Sequence, residues 1–478
     1  MDYRKIIFGK ADAIEESYEY PNLLIDGYLD NMNLVSQVRN SNTFLFLGYK
    51  GSGKSALSEH LRLIADKREM IVDQQPLNQF PYKSFAKIVS GDAEPEVKYH
   101  TAWRWLLLIK LLDNLTKDEK AVYNNKREIL DAVVLSLNKA GLMPIKNFSS
   151  LVTKSSNVKV KANIIKLLEI EVSENLSNAE LGLQSAISMI EELIVSFTEC
   201  KEQYIIIDGI DDILTSREIQ FATLAALLNQ AKDINKILHD NNLPIKIIIL
   251  CRTDIFERLH DPNKNKIRQD CSYSFTWYKE GITTHEKNGL IEIANIRTQL
   301  VFPDCHNLFN TFFPSRINDE DIYSFLLEHT RHTPRDFMQV LIRIQNNCEG
   351  KLVRQIDVEN GLKEYSVEYF LPEIKDEMEG YLKQDDIDNI IKIFSSYRKI
   401  EFDFNEILPI AERFNVSRDV LIVVLNVLYD CSAIGHVYYR GSEKREITYK
   451  YRNRNSCFNT TDRIRLHKGL WKALNVNF

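Results

Sequence analysis

The stretch Thr43-Phe-Leu-Phe-Leu-Gly48-Tyr-Lys-Gly51-Ser-Gly53-Lys54-Ser55-Ala-Leu57 decides the fold. Its apolar run, Phe44 to Leu47, reads as a strand buried on both faces, and Ala56, Leu57, His60, Leu61, Leu63 and Ile64 recur afterwards at helical spacing. Between the two lies Gly48-x-x-x-x-Gly53-Lys54-Ser55. Its glycines let the backbone turn tightly, so that successive amide N–H groups face inward at phosphate oxygens. The residue types then assign themselves. Gly48, Tyr49, Lys50, Gly51, Ser52, Gly53, Lys54, Ser55 and Ala56 form the cradle of a nucleoside triphosphate. Lys54 reaches the β- and γ-phosphates, Ser55 ligates Mg²⁺, and the helix adds its positive end. A nucleoside triphosphate with Mg²⁺ is the expected ligand. A glycine turn without a ligand is the alternative, and the strand-loop-helix order speaks against it.

Outward from this stretch, Glu69 to Asp73, Tyr204 to Ile207, Ile245 to Leu250 and Ser272 to Trp277 are short β-rich runs, each flanked by helical patterns. That alternation predicts an α/β fold with a parallel sheet covered on both faces and a ligand at the carboxyl ends of its strands. Residues 1–300 are expected to form this domain. The long segment 76–200 between the second and third strands exceeds any simple connection and predicts a largely helical insertion. Within it, Trp103, Trp105, Leu106 to Leu108, Leu111 and Leu112 read as a core helix, and Val158 to Ala162 as a small exposed strand.

The run Tyr204-Ile-Ile-Ile-Asp208-Gly-Ile-Asp211-Asp212 sets a carboxylate directly after a buried strand. Asp208 is placed to hold the Mg²⁺ shell, because hard cations take oxygen ligands. Asp211 or Asp212 is placed to prepare the attacking water, although a helix N-cap followed by a first-turn acid gives the same pattern. Arg252, at the end of Leu250-Cys-Arg-Thr-Asp254, has two readings: a guanidinium forked onto the γ-phosphate, or one paired with Asp254 or a helix end. Arg335, in His332-Thr-Pro334-Arg-Asp-Phe, follows a proline that opens an amphipathic helix. A cation there is unfavourable unless an anion faces it.

These motifs resemble the STAND and NACHT branch of the AAA+ ATPases, whose usual Asp-Gly-x-Asp-Glu is matched by Asp208-Gly209-Ile210-Asp211-Asp212. Other AAA+ enzymes commonly carry Glu immediately after the first Asp. Gly209 stands there, which implies slow turnover or a switch held in the bound state. The resemblance further implies a sensor 1 role for Arg252, a sensor 2 role for Arg335 on a helical lid, and an arginine finger at Arg268 directed into a neighbouring subunit. For Arg268 a solvated surface turn is an equal reading. Together with the closing His467-Lys-Gly-Leu-Trp-Lys-Ala-Leu, the nucleotide motif is similar to stand-alone bacterial P-loop ATPases, and the wider assemblage implies a link to phage defence.

Residues 301–383 are expected to form the lid, with Ile322, Phe325, Leu326, Phe337, Val340, Leu341 and Ile344 in its core. Residues 384–478 read as a winged helix: helices at Ile387 to Phe394, Phe404 to Phe414 and Arg418 to Tyr429, then strands Gly435 to Arg440 and Glu446 to Tyr451 around Gly441-Ser442. The third helix is apolar on nearly every side, unlike a groove-reading helix. Charge gathers after it. From Cys431 onward ten lysines and arginines face Glu443, Glu446 and Asp462, whereas the whole chain carries −6. Two readings stand for this basic wing and tail: sequence-independent DNA binding, or docking onto the acidic remainder of the chain.

The odd set of seven cysteines without a CxxC pair fits a reducing, cytoplasmic setting, and neither a signal peptide nor a membrane span is expected. The expected function is an ATP-binding switch that hydrolyses ATP slowly and changes conformation or oligomeric state, acting as a homo-oligomer on a separate effector or regulatory protein. Two alternatives are a DNA-acting ATPase, such as a loader or repair factor, and a scaffold that holds nucleotide structurally.

Overall fold

A computed structural model of the chain describes residues 1–30, 32–78, 80–89, 94–157, 179–209, 218–279, 287–379, 381–440 and 444–476. Its centre is a parallel sheet of five strands, β1 (Leu45–Gly48), β2 (Ile71–Pro76), β3 (Gln203–Asp208), β4 (Ile245–Arg252) and β5 (Ser272–Ser274), in the spatial order β2-β3-β4-β1-β5. Successive side chains alternate between the two faces. Leu45, Leu47, Ile205, Ile207, Ile247 and Ile249 enter one apolar core, while Phe46, Tyr204, Ile206, Ile248 and Leu250 enter the other with Leu57 and Leu61. Because both faces are covered, the strands read as continuous apolar runs rather than alternating ones.

Two strand boundaries differ from the sequence expectation. Glu69 has a left-handed φ of 51° and closes a short turn, so β2 starts only at Ile71. It then runs through polar Gln74 and Gln75, which pair with Ile206 and Ile207 of β3. At β5 the ladder ends early, at Ser274.

The segment between β2 and β3 contributes helices Pro95–Lys117, Arg127–Lys139, Phe148–Ser155 and Ala179–Val195. Trp103, Leu106, Leu107 and Leu111 are buried in the first core, and the Trp103 indole donates to the Thr223 carbonyl at 2.9 Å. The strand expected over Val158 to Ala162 lies outside the described residues, as does the wing tip Gly441-Ser442.

The lid helices Ile322–Leu327 and Pro334–Asn346 bury every apolar residue expected of them. The sequence predicts a further helix near Val367 to Leu382; in the structure helix Gln355–Tyr365, which no local pattern announced, runs through a π-helical turn at Ser366–Phe370 into Leu371–Glu379. The amino-terminal residues Tyr3, Ile6 and Phe8, together with Leu290, Ile291 and Ala294, pack into the lid core. Packing therefore crosses the boundary drawn at residue 300.

The carboxyl-terminal part has helices Gln384–Tyr397, Phe404–Arg413 and Arg418–Asp430 and a four-stranded sheet: β6 (Glu401–Phe402), β7 (Ile434–Arg440), β8 (Lys444–Thr448) and β9 (Arg463–Leu466), ordered β6-β9-β7-β8. It shares one apolar core with the lid. The third helix buries Leu421, Val424, Leu425, Leu428 and Tyr429 and exposes Val423. Much of the basic excess is engaged inside the chain. Arg445, Arg463 and Arg465 converge on Glu401. Lys468 pairs with Glu328 at 2.6 Å and Glu320 at 3.1 Å, and Lys450 with Asp430 at 3.7 Å. No helix among the described residues is long and apolar enough to cross a membrane.

Candidate nucleotide site

β1 delivers the chain to the rim of the sheet at Gly48, opposite Arg252 of β4, and the loop to Gly53 returns it into helix Lys54–Ile64. Gly51 and Gly53 have φ of +80° and +99°, a region in which a side chain is strained. Gly51 is constrained twice, since a Cβ there would lie 3.0 Å from Arg335 Cβ. The Lys54 ammonium spans the loop, donating to the carbonyls of Gly48 at 3.0 Å and Tyr49 at 3.1 Å. An ammonium has a third donor, which is available to a phosphate. Ser52 Oγ is buried without a hydrogen-bond partner, while the Ser52 carbonyl accepts from the Trp277 indole at 2.8 Å. Tyr49, packed between loop and carboxyl-terminal domain, has its phenol pushed up to about 12 by burial.

On the metal side, Ser55 Oγ donates to Asp208 Oδ2 at 2.8 Å. The other oxygen, Oδ1, accepts from the Gly209 amide at 2.7 Å. A hydroxyl and a carboxylate side by side are the hard oxygen donors that Mg²⁺ takes, so the residues present fit the ion. Among the described residues no cluster of three or more His, Cys, Asp or Glu could hold a metal alone. Bound Mg²⁺ would rely on Ser55 and Asp208 with nucleotide and water, and would supply charge neutralisation at the phosphates. Asp211 and Asp212 lie outside the described residues. At Gly209, φ +78°, an added Cβ would fall 1.8 Å from Asn78 Oδ1. Asn78, on the loop after β2, thus occupies the space beside the strand-end acid, and no motif marks it in the sequence.

The three arginines go to different places. Arg335 sits on the first turn of the lid helix Pro334–Asn346, capped by Thr333 Oγ1, which accepts from the Asp336 amide at 3.2 Å. Its own backbone amide donates to the Gly51 carbonyl at 3.3 Å, so the lid rests on the phosphate loop, and Arg335 lines the same cavity as Lys54 and Ser55. Arg252 is 5% exposed and forks onto Asp254 at 3.0 and 2.7 Å. Burial raises the Asp254 carboxyl, but the fork and a 3.0 Å bond from the Tyr381 hydroxyl outweigh it and hold the group below its usual range. Arg252 lines a small separate cavity with Tyr49, Lys50 and Tyr381, not the phosphate-loop cavity. The pairing alternative is the one realised in this structure. Arg268, in helix Lys264–Cys271, pairs with Glu257 of its own chain.

The phosphate-loop cavity is also lined by the amino-terminal segment, from Lys10 to Leu34. Tyr28, Leu29, Met32, Ile293 and Met338 form its apolar wall, suited to a planar base. The Tyr28 ring stacks on His60 at 4.2 Å. Glu16 and Arg297 close the floor as a buried pair at 2.6 Å, with the Lys10 amide donating to Glu16 at 2.7 Å. Sequence reading found none of this wall. Its residues come from three distant segments, and no local pattern connects them.

No protein-family model matches the chain, and no curated protein sequence does. Among solved structures, the ORC1 protein of Aeropyrum pernix in complex with DNA is similar over 95% of this chain and 94% of its own, at 14% identity and a TM-score of 0.39. Cdc6p from Pyrobaculum aerophilum is similar over 98% of both chains, at 12% identity and a TM-score of 0.32. Likenesses so distant add nothing to the site. Strand order, lid and carboxyl-terminal sheet, as described, make the fold an α/β phosphate-loop domain followed by a helical lid and a winged helix.

Proposed function

We propose that this chain is an ATP-binding switch that hydrolyses ATP slowly and couples the nucleotide state to its lid and winged-helix domain. The observation that carries the reading is the 2.8 Å contact between Ser55 and Asp208, which closes a phosphate cradle and a metal-side carboxylate into one site. Slow turnover follows from Gly209 after that carboxylate and from the hold of Asp254 on Arg252. Gly209 after the strand-end carboxylate also supports the STAND-like branch. Coupling is supported by direct contact: Arg454, in the loop after β8, donates to Thr276 beside the phosphate loop. Arg268 serves a neighbouring subunit only on leaving Glu257.

Lys54→Ala tests the site. ATP affinity measured by calorimetry is expected to fall more than about tenfold, with turnover lost; unchanged affinity and turnover would remove the assignment.

A second reading, a DNA-acting ATPase, is favoured by the winged helix with Tyr439 64% exposed on β7. Against it stands the internal pairing of the wing and tail cations. It requires duplex affinity that falls steeply with salt, read by fluorescence anisotropy across a salt series.

A further inference from the structure

Two cations line the phosphate-loop cavity, Lys50 on the loop and Arg335 on the lid helix. Both face the same carboxylate oxygen. Lys50 Nζ lies 3.0 Å and Arg335 Nη1 3.8 Å from Oε2 of Glu373, on helix Leu371–Glu379, and that oxygen is buried. Asp376, one turn further on, stands 3.9 Å from the same lysine and is mostly open to solvent. An anionic oxygen ion-paired with an ammonium and near a guanidinium is, chemically, what the terminal oxygen of a triphosphate would be in this place. A diphosphate lacks that terminal group.

From this geometry, and resting on the nucleotide reading above, we infer that Glu373 is an intramolecular competitor of the third phosphate and sets the selectivity of the site between ATP and ADP. While Glu373 holds Lys50 and Arg335, lid and loop are clasped. A γ-phosphate that takes both cations leaves the carboxylate with two anionic neighbours, the phosphate and Asp376. Helix Leu371–Glu379 is then driven from the loop. ADP leaves the clasp in place. The same contact therefore converts the presence of one phosphate into a movement of the segment that leads to Tyr381 and the winged-helix domain.

The test is the ratio of ADP to ATP dissociation constants, measured by calorimetry with Mg²⁺ on the full chain. Glu373→Gln, which keeps shape and removes charge, is expected to tighten ATP about five- to tenfold and leave ADP within about twofold. Glu373→Ala is a second variant with the same expectation should the first not fold. A clasp that merely stabilises the lid would move both nucleotides together, and that outcome overturns the inference. So does an unchanged ratio. If the unaltered chain binds neither nucleotide, the nucleotide reading fails and takes this inference with it, a result distinct from normal binding with an unmoved ratio.

Discussion

At the scale of single residues the site is a matter of which donors face which oxygens. Asp208 accepts from Ser55 and from the Gly209 amide, so both its oxygens are oriented before any ligand arrives. Asp208→Asn keeps the shape and loses the charge that a cation needs. It is expected to lower Mg²⁺-dependent phosphate release by about 10²-fold, while ATP affinity in EDTA stays within about twofold; a magnesium titration of phosphate release separates the two. Arg252 carries a second lesson. A guanidinium two residues from a carboxylate is legible as a pair, and the structure makes that pair, yet nothing local announces the hydroxyl of Tyr381 that steadies Asp254.

At the scale of elements, the lid helix Pro334–Asn346 shows how a cation comes to stand at a positive helix end. Thr333 caps the helix, Pro334 occupies its first turn, and the buried Asp336 accepts from Arg331 at 2.9 Å and from the Tyr369 hydroxyl at 2.9 Å. That frame fixes the turn from which Arg335 meets the loop. Removing the cap with Thr333→Ala is expected to cost about 1 kcal/mol and to weaken ATP binding more than the global loss explains, seen by pairing denaturant titration with calorimetry. Strands β3 and β4 were readable because each is a largely apolar run ended by a polar residue. β2 was misplaced because its polar Gln74 and Gln75 enter the sheet only through pairing with β3.

At the scale of the whole molecule, the lid, the amino-terminal residues and the winged helix share one core, so motion at the loop reaches the carboxyl-terminal domain without a free linker. The joint between lid and tail includes His329, whose ring is buried and donates to the Phe325 carbonyl at 2.7 Å. Burial lowers its pKa to about 4, against an ordinary value of 6.5. Between these values the unfolded chain binds the proton and the folded one does not. The stabilisation is therefore full above pH ~6.5 and lost as pH falls towards 4, by about 3 kcal/mol in all. Melting midpoints over that range are expected to fall less steeply in His329→Gln. The contact of Arg454 with Thr276 and the Phe275 carbonyl closes the opposite side of the loop. Arg454→Glu sets a carboxylate against that carbonyl, and is expected to speed release of bound ADP several-fold in stopped flow and to enlarge the radius seen by small-angle scattering.

Sequence alone determined the phosphate loop, the strand-end Asp208 and the order of strands along the chain, because each depends on residues contiguous in the chain. Lys50 was legible as part of the loop, but its clasp on Glu373 was not. Tertiary structure decided everything that needs two distant segments. Sheet order brings Ser55 to Asp208, the amino terminus supplies the wall under Tyr28, and folding turns much of the tail's positive charge inward onto Glu401, Glu320 and Glu328. Composition counts charges without regard to position. Only packing determines which of them meet a partner and which remain for a ligand.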